Sequence, residues 1–203
     1  MRPRDNPFRS ELTDALPYRL QGVAWDELLG RLARLDYRAA IVGPHGSGKT
    51  TLLEELGRRL ECRGIPTLYL RVDDRCPRSV VADLKAVDGQ VVLLDGADLL
   101  GRLAWAMVRA RTHRTRGLII TSHGPGRLPT LVECTTALGL LHELLAELVP
   151  ECADGLASMA DDLFRKFDGN LRSVFRALYH MFADDAFARR REEPAVETQG
   201  WRP

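Results

Sequence analysis

Cysteine is scarce and scattered in this sequence. Cys62, Cys76, Cys134 and Cys152 form no C-x-x-C pair, so zinc-site and redox-motif spacings are excluded. Reduced cysteines that merely pack, in a cytoplasmic protein, are the expectation. Long apolar runs are also missing. No segment is long enough to span a bilayer, and the opening MRPRDNPFRSELTDALPYRL lacks the apolar stretch of a signal peptide, so no membrane partner is expected. Charge of one sign is not in excess: a net charge of +1 argues against a general grip on nucleic acid or on a membrane surface. Aromatics make up 6%, and none is interleaved with the one basic cluster, Arg109, Arg111, Arg114 and Arg116 with His113. The stacking signal of a single-strand binder is therefore absent, and cations suited to a helix C-terminus are the favoured reading over a nucleic-acid partner. Lysine is nearly lacking; only Lys49, Lys85 and Lys166 stand among 29 basic residues, which makes a lysine inside a motif conspicuous.

What is present is an alternation of strands and helices over 203 residues with an ordinary 45% apolar content, enough for one α/β domain and a small appendage. Trp25, Leu28, Leu29, Leu32 and Leu35 share a helical face. Strands are predicted over Arg38–Val42, Ile65–Val72, Gln90–Leu94, Leu118–Thr121 and Thr130–Cys134. Helices are predicted after the glycine turn at 43–48, from Pro77, and over Leu99–Arg111. Three amphipathic stripes follow: Leu138/Leu141/Leu145/Leu148, Leu156/Met159/Leu163/Phe167 and Leu171/Val174/Leu178/Phe182. The expected organisation is an N-terminal strap (1–20), a parallel α/β core (21–135), a three-helix lid (136–183) and a charged, aperiodic, mobile tail (184–203).

Two motifs carry chemistry. Gly43-Pro44-His45-Gly46-Ser47-Gly48-Lys49-Thr50 satisfies G-x-x-x-x-G-K-[ST] between a predicted strand and a predicted helix. Glycines let the backbone approach crowded phosphates with N–H groups turned inward, and the helix that follows offers its unpaired N–H groups. Lys49 can reach the β- and γ-phosphates, the Thr50 hydroxyl can ligate Mg²⁺, and Thr51 follows in the same helical turn. The second motif is Val91-Val92-Leu93-Leu94-Asp95, which sets a carboxylate at the C-terminal edge of a buried strand, where open α/β sheets bind ligands. Asp95 is then a candidate for the Mg²⁺ shell, against the plainer role of a turn cap.

These residues make the chain resemble the AAA+ and STAND branch of P-loop ATPases, over roughly Tyr18 to Phe182. The resemblance implies a five-stranded parallel core of the ASCE kind with a helical lid, and ATP·Mg²⁺ bound between the two. It implies a polar-tipped strand between the P-loop strand and the metal strand. Leu118-Ile119-Ile120-Thr121-Ser122-His123 is similar to that strand and to the "IITTR" strand of NB-ARC proteins. By it, Ser122 reads the γ-phosphate or the attacking water, unless Thr121 and Ser122 are a plain strand end. Gly169-Asn170-Leu171-Arg172 resembles the G-N-x-R element that opens a lid helix, so Arg172 either senses the γ-phosphate or is a solvated helix residue. Leu16-Pro17-Tyr18-Arg19-Leu20 lies where such proteins carry a strap against adenine, with packing of Tyr18 on the first helix as the alternative.

The sequence departs from that pattern in three ways. Asp95 is followed by Gly96, not by an acid; Asp98 either polarises water or is the N-cap of the Leu99 helix. Residues 123–129 are too few for the helix that ends in an arginine finger, and Arg127 is the nearest substitute. No sensor or repeat unit of the STAND kind is read. Among other P-loop classes, guanine readers need N/T-K-x-D, to which Arg165-Lys166-Phe167-Asp168 is a poor match, and no L-S-G-G-Q-like signature exists. A small-molecule kinase using Arg71–Arg78 is an outside option. The expected function is an ATP·Mg²⁺-binding switch or accessory motor that alternates between ATP and ADP and acts on a protein partner or a second copy of itself. The rival is an ATP-gated interaction module that hardly hydrolyses.

Overall fold

The computed structural model describes residues 5–72, 79–84 and 88–192, the last with backbone alone at 185–192 and at 154. In chain order its elements are α1 (Ser10–Thr13), α2 (Trp25–Arg34), β1 (Arg38–Val42), α3 (Lys49–Glu61), β2 (Thr67–Arg71), α4 (Ser79–Asp83), β3 (Val91–Asp95), α5 (Arg102–Arg111), β4 (Gly117–Ser122), β5 (Thr130–Glu133), α6 (Leu138–Leu148), α7 (Ala153–Lys166) and α8 (Leu171–Glu192). The chain divides into two units, Pro17–Thr136 and, from both ends of the sequence, Met1–Leu16 with Ala137–Pro203.

The first unit is an α/β layer structure around a five-stranded sheet of order β2-β3-β4-β1-β5. All of its strand pairs are parallel. β4 lies between β1 and β3, where the resemblance puts the polar-tipped strand. Successive side chains alternate between the faces of a strand, so each central strand feeds two cores. Ala39, Ile41, Val91, Leu93 and Ile119 pack with Leu52, Leu53, Leu56 and Leu60 of α3 and with Leu28 and Leu32 of α2. Ala40, Val42, Val92, Leu94, Leu118 and Ile120 pack on the other face with Val80, Val81, Ala104 and Val108. The four α3 leucines are fully buried, each worth about 1.5–3 kcal/mol over exposure. At Gly57 the helix comes so near β3 that a Cβ would lie 2.6 Å from Leu93 Cδ1.

Several local expectations change. The helix predicted from Leu99 is a 3-10 turn at Ala97–Leu99 and then α5, whose N-cap is Gly101 and not Asp98. The helix after β2 is described only over Ser79–Asp83; Pro77 and most of Arg71–Arg78 lie outside the described residues. In the basic cluster, Arg111 donates to the Val81 carbonyl (2.5 Å) and Arg116 lies 5.4 Å from the Tyr37 ring. Arg38 donates to the carbonyls of Thr112 and Thr115, closing the turn where the cluster sits.

The second unit is helical. Leu141, Leu144, Leu145, Ala160, Leu171, Val174 and Leu178 bury together. Phe8 joins them at 3% exposure, with its ring 5.1 Å from Phe182 in edge-on contact, and Asn6 Nδ2 donates to the Tyr179 carbonyl (2.9 Å). The segment expected as a strap over 1–20 is therefore divided: the described residues up to Leu16 pack with the helices, and Tyr18 belongs to the sheet unit. Gly169 N–H donates to Phe164 O (2.9 Å) at the end of α7, and Asn170 Oδ1 accepts from Ser173 N–H (3.1 Å), capping α8. α8 runs through Glu192, past the limit at 183 expected from its apolar stripe; 193–203 lie outside the described residues. Among the described residues no helix is long and apolar enough to cross a membrane.

Candidate functional site

The glycine turn joins β1 to α3 at the C-terminal edge of the sheet. Gly48, in the left-handed region at φ 83°, is the N-cap of α3, so the helix begins at Lys49 with unpaired N–H groups facing the turn. A Cβ on Gly48 would lie 3.1 Å from the Tyr18 ring, and one on Gly43 would lie 2.5 Å from Cys134 O and 2.8 Å from Ser47 Oγ. A Cβ at Gly43 would clash with backbone, and at Gly48 it would crowd the Tyr18 ring at a left-handed φ that disfavours any other residue. Ser47 Oγ donates to Pro44 O (2.9 Å) and holds the loop curved. Lys49 Nζ donates to Gly43 O (2.7 Å) and Pro44 O (2.6 Å). Burial lowers the Lys49 ammonium, while Cys134, Asp98 and Asp95 oppose that shift. Pro44 and His45 are exposed at the turn, Gly46 is half-buried, and Thr51 is half-buried in the first turn of α3.

Asp95 ends β3 at 5% exposure and gathers hydroxyl donors. Thr50 Oγ1 lies 3.2 and 3.1 Å from its two oxygens, Thr121 Oγ1 2.6 Å from Oδ1, and Tyr69 Oη 3.3 Å from Oδ2. Gly96 N–H donates to Thr121 Oγ1 (2.8 Å), so that hydroxyl spends its own proton on Asp95. Arg71 Nε is 3.8 Å from Oδ2 at the rim. Burial first, then the Asp95 charge, raises the Tyr69 phenol. A hydroxyl and a carboxylate are hard oxygen donors that suit Mg²⁺. Among the described residues no group of three or more His, Cys, Asp or Glu could hold a metal, so a magnesium ion here would take its remaining ligands from phosphate and water.

Ser122 is elsewhere. It follows Thr121 by one residue and so points to the opposite face, where its Oγ donates to Gly124 O (2.7 Å). The hydroxyl beside Asp95 is that of Thr121. Tyr69 and Arg71 also escape a sequence reading, because only the pairing of β2 with β3, Arg71 opposite Asp95, brings them there. Asp98 does not cap a helix. Its Oδ2 accepts from His123 N–H (2.6 Å) and lies 2.8 Å from His123 Nδ1. His123 Nε2 is 3.1 Å from His45 Nδ1, with the rings 3.9 Å apart.

Tyr18 packs its ring on Gly48 and donates its hydroxyl to Cys134 Sγ (3.2 Å); burial raises both groups. Arg127 donates to Leu100 O (2.7 Å) and lies 5.0 Å from the Trp105 ring, an engagement within its own unit that does not suit a free arginine finger. Arg172 is exposed in the first turn of α8, in the helical unit. The structure thus brings together Lys49, Thr50 and Asp95, sets Asp98 with His45 and His123, and leaves Ser122 on the other face.

No protein-family model matches this chain, and no curated protein matches it. Among solved structures it is similar to a variant of RuvB from Thermotoga maritima, at 12% identity and a TM-score of 0.42, over 78% of this chain and 70% of that one.

Proposed function

We propose that this chain binds ATP with Mg²⁺ on the glycine turn and hydrolyses it slowly, as a nucleotide-dependent switch or accessory motor of the AAA+/STAND kind. The observation that carries the reading is the Thr50–Asp95 contact. A hydroxyl from the start of α3 and a carboxylate from the end of β3, 45 residues apart, meet within 3.1 Å next to a lysine held on loop carbonyls. In this reading the backbone of Gly46 to Gly48 and the Lys49 ammonium bind the β- and γ-phosphates, Lys49 trading its carbonyl partners for phosphate oxygens. Thr50 and Asp95 would hold Mg²⁺, which neutralises charge on those oxygens. Tyr18, against Gly48, is the candidate for contact with the adenine. Arg172 reads the γ-phosphate and passes the nucleotide state to a protein partner or a second copy of this chain.

One observation favours the rival, an ATP-gated module with negligible turnover: Asp95 is followed by Gly96, so no carboxylate adjoins it in the chain. Calorimetry with ATP·Mg²⁺ and a coupled assay of ADP release separate the two. Micromolar-range binding is expected, preferring ATP to GTP. Lys49→Ala should weaken it about a hundredfold or more, since charge-assisted hydrogen bonds worth about 1.5–3 kcal/mol each are lost. Unchanged binding in Lys49→Ala would overturn the reading.

A further inference from the structure

Asp98, His123 and His45 stand in a row beside the glycine loop. Its three side chains come from different segments: the turn after β3, the end of β4 and the glycine loop. The Asp98 carboxylate accepts from the backbone N–H of His123 at 2.6 Å and lies 2.8 Å from its Nδ1. An ionised carboxylate can only accept, so Nδ1 carries a proton. In the neutral ring Nε2 then carries a lone pair, and the His45 ring lies tilted against it, with Nδ1 3.1 Å from Nε2 and the ring centres 3.9 Å apart. Burial, followed by the charges of Lys49 and His45, lowers His123, with Asp98 opposing; these favour the neutral ring. A carboxylate on Nδ1–H and a lone pair on Nε2 are what general-base catalysis by histidine requires. The neighbour of Nε2 is a residue of the glycine loop itself, between Gly43 and Gly46. The His45 ring is exposed, so it can give way.

We propose that His123 is a catalytic base, positioned by Asp98, that takes the proton of the water attacking the γ-phosphorus of ATP. This rests on the ATP-binding reading above and supplies the base that Gly96 does not. The water oxygen bonds to the γ-phosphorus while the bond to the β,γ-bridging oxygen breaks, and that electron pair leaves with ADP. The water proton passes to His123 Nε2, the imidazolium is stabilised by Asp98, and the proton is then returned to solvent or to the released phosphate. The His45 ring crowds Nε2 until the water takes its place, which ties base activity to occupancy of the loop.

The test uses the full chain as wild type, His123→Gln, Asp98→Asn and Asp98→Glu, with three readouts: ATP·Mg²⁺ calorimetry, single-turnover ADP formation against pH, and histidine ¹⁵N–¹H spectra of the nucleotide-free protein. His123→Gln should bind ATP within about threefold of wild type and lose about 10²-fold or more in turnover. The wild-type rate should rise with pH on one ionisation and then level; His123→Gln should lose that limb. Without the anion the imidazolium is less favoured, so Asp98→Asn should move the limb to lower pH, and Asp98→Glu should restore it. The groups facing His123 are Lys49, His45 and Asp98, and only the last is altered. The spectra should show His123 protonated on Nδ1, a preference weakened in Asp98→Asn. Wild-type-like turnover and limb in His123→Gln, a proton on Nε2 of His123, or a wild type that binds ATP and forms no ADP would each overturn the proposal and leave the binding reading standing. A wild type that binds no ATP·Mg²⁺ would overturn both.

Discussion

Thr121→Val isolates what the alternation of β4 decides. Thr121 is 2% exposed, and the hydroxyl this substitution removes donates to the buried Asp95 at 2.6 Å and accepts from Gly96 N–H at 2.8 Å. Loss of a hydrogen bond to a charged group costs about 1.5–3 kcal/mol, and an amide deprived of its acceptor a further 1–3 kcal/mol or so. Thr50 and Tyr69 stay on the carboxylate, so a total of about 2–4 kcal/mol is expected rather than the full sum. Ser122→Ala is the control. That side chain is equally buried, but its hydroxyl serves one turn carbonyl, Gly124 O, on an exposed residue that water can reach. Its removal should cost about 1 kcal/mol or less. Urea denaturation followed by Trp25 and Trp105 fluorescence, in a Trp201→Phe background, reads the sheet unit directly. If Thr121→Val costs no more than Ser122→Ala, the placement of Thr121 on Asp95 is refuted. The same pair should separate in nucleotide binding: Ser122→Ala leaves the Mg²⁺ dependence of ATP affinity unchanged, and Thr121→Val weakens it.

If Arg172 senses the γ-phosphate, Arg172→Ala should weaken a non-hydrolysable ATP analogue by up to about a hundredfold, a coupling of about 1–3 kcal/mol, and leave ADP unchanged. Equal loss for both nucleotides in paired titrations would rule out that role. Phe8→Ala should destabilise the helical unit by about 3–5 kcal/mol in thermal unfolding followed by far-ultraviolet circular dichroism, since the ring is buried there; a change under about 1 kcal/mol would show that the segment does not belong to that core. His123, lowered in the folded state chiefly by burial, binds fewer protons there than in the unfolded chain. Its contribution to stability is therefore present above about pH 6.5 and is lost as pH falls through the folded value. Denaturation midpoints of His123→Gln should fall less than those of wild type from pH 7 downward, and parallel profiles would contradict this.

The glycine loop, the five strands and the three stripes of the helical unit are legible in the sequence because each is a local pattern. Gly43 to Thr50 is a contiguous motif, Val91 to Asp95 is an apolar run ending in an acid, and Gly169-Asn170 is a stop signal followed by a cap. The ends of such patterns are less determined: α8 continues to Glu192 because backbone hydrogen bonding outlasts the apolar stripe that announces the helix. Which polar residues meet was decided by tertiary structure. Leu118 to His123 presents Thr121, Ser122 and His123 in a row, and only the order β3-β4-β1 and the parity of β4 turn Thr121 to Asp95 and Ser122 away. Tyr69 reaches Asp95 through strand pairing, and Phe8 enters a core built from residues more than a hundred positions away. Asp98 reads as a helix cap by local rule, yet a 3-10 turn and the end of the neighbouring strand bring it to His123 and, through it, to the glycine loop. A sequence specifies contacts near in the chain through backbone geometry; those between segments wait on which strands lie side by side and which face each residue is given.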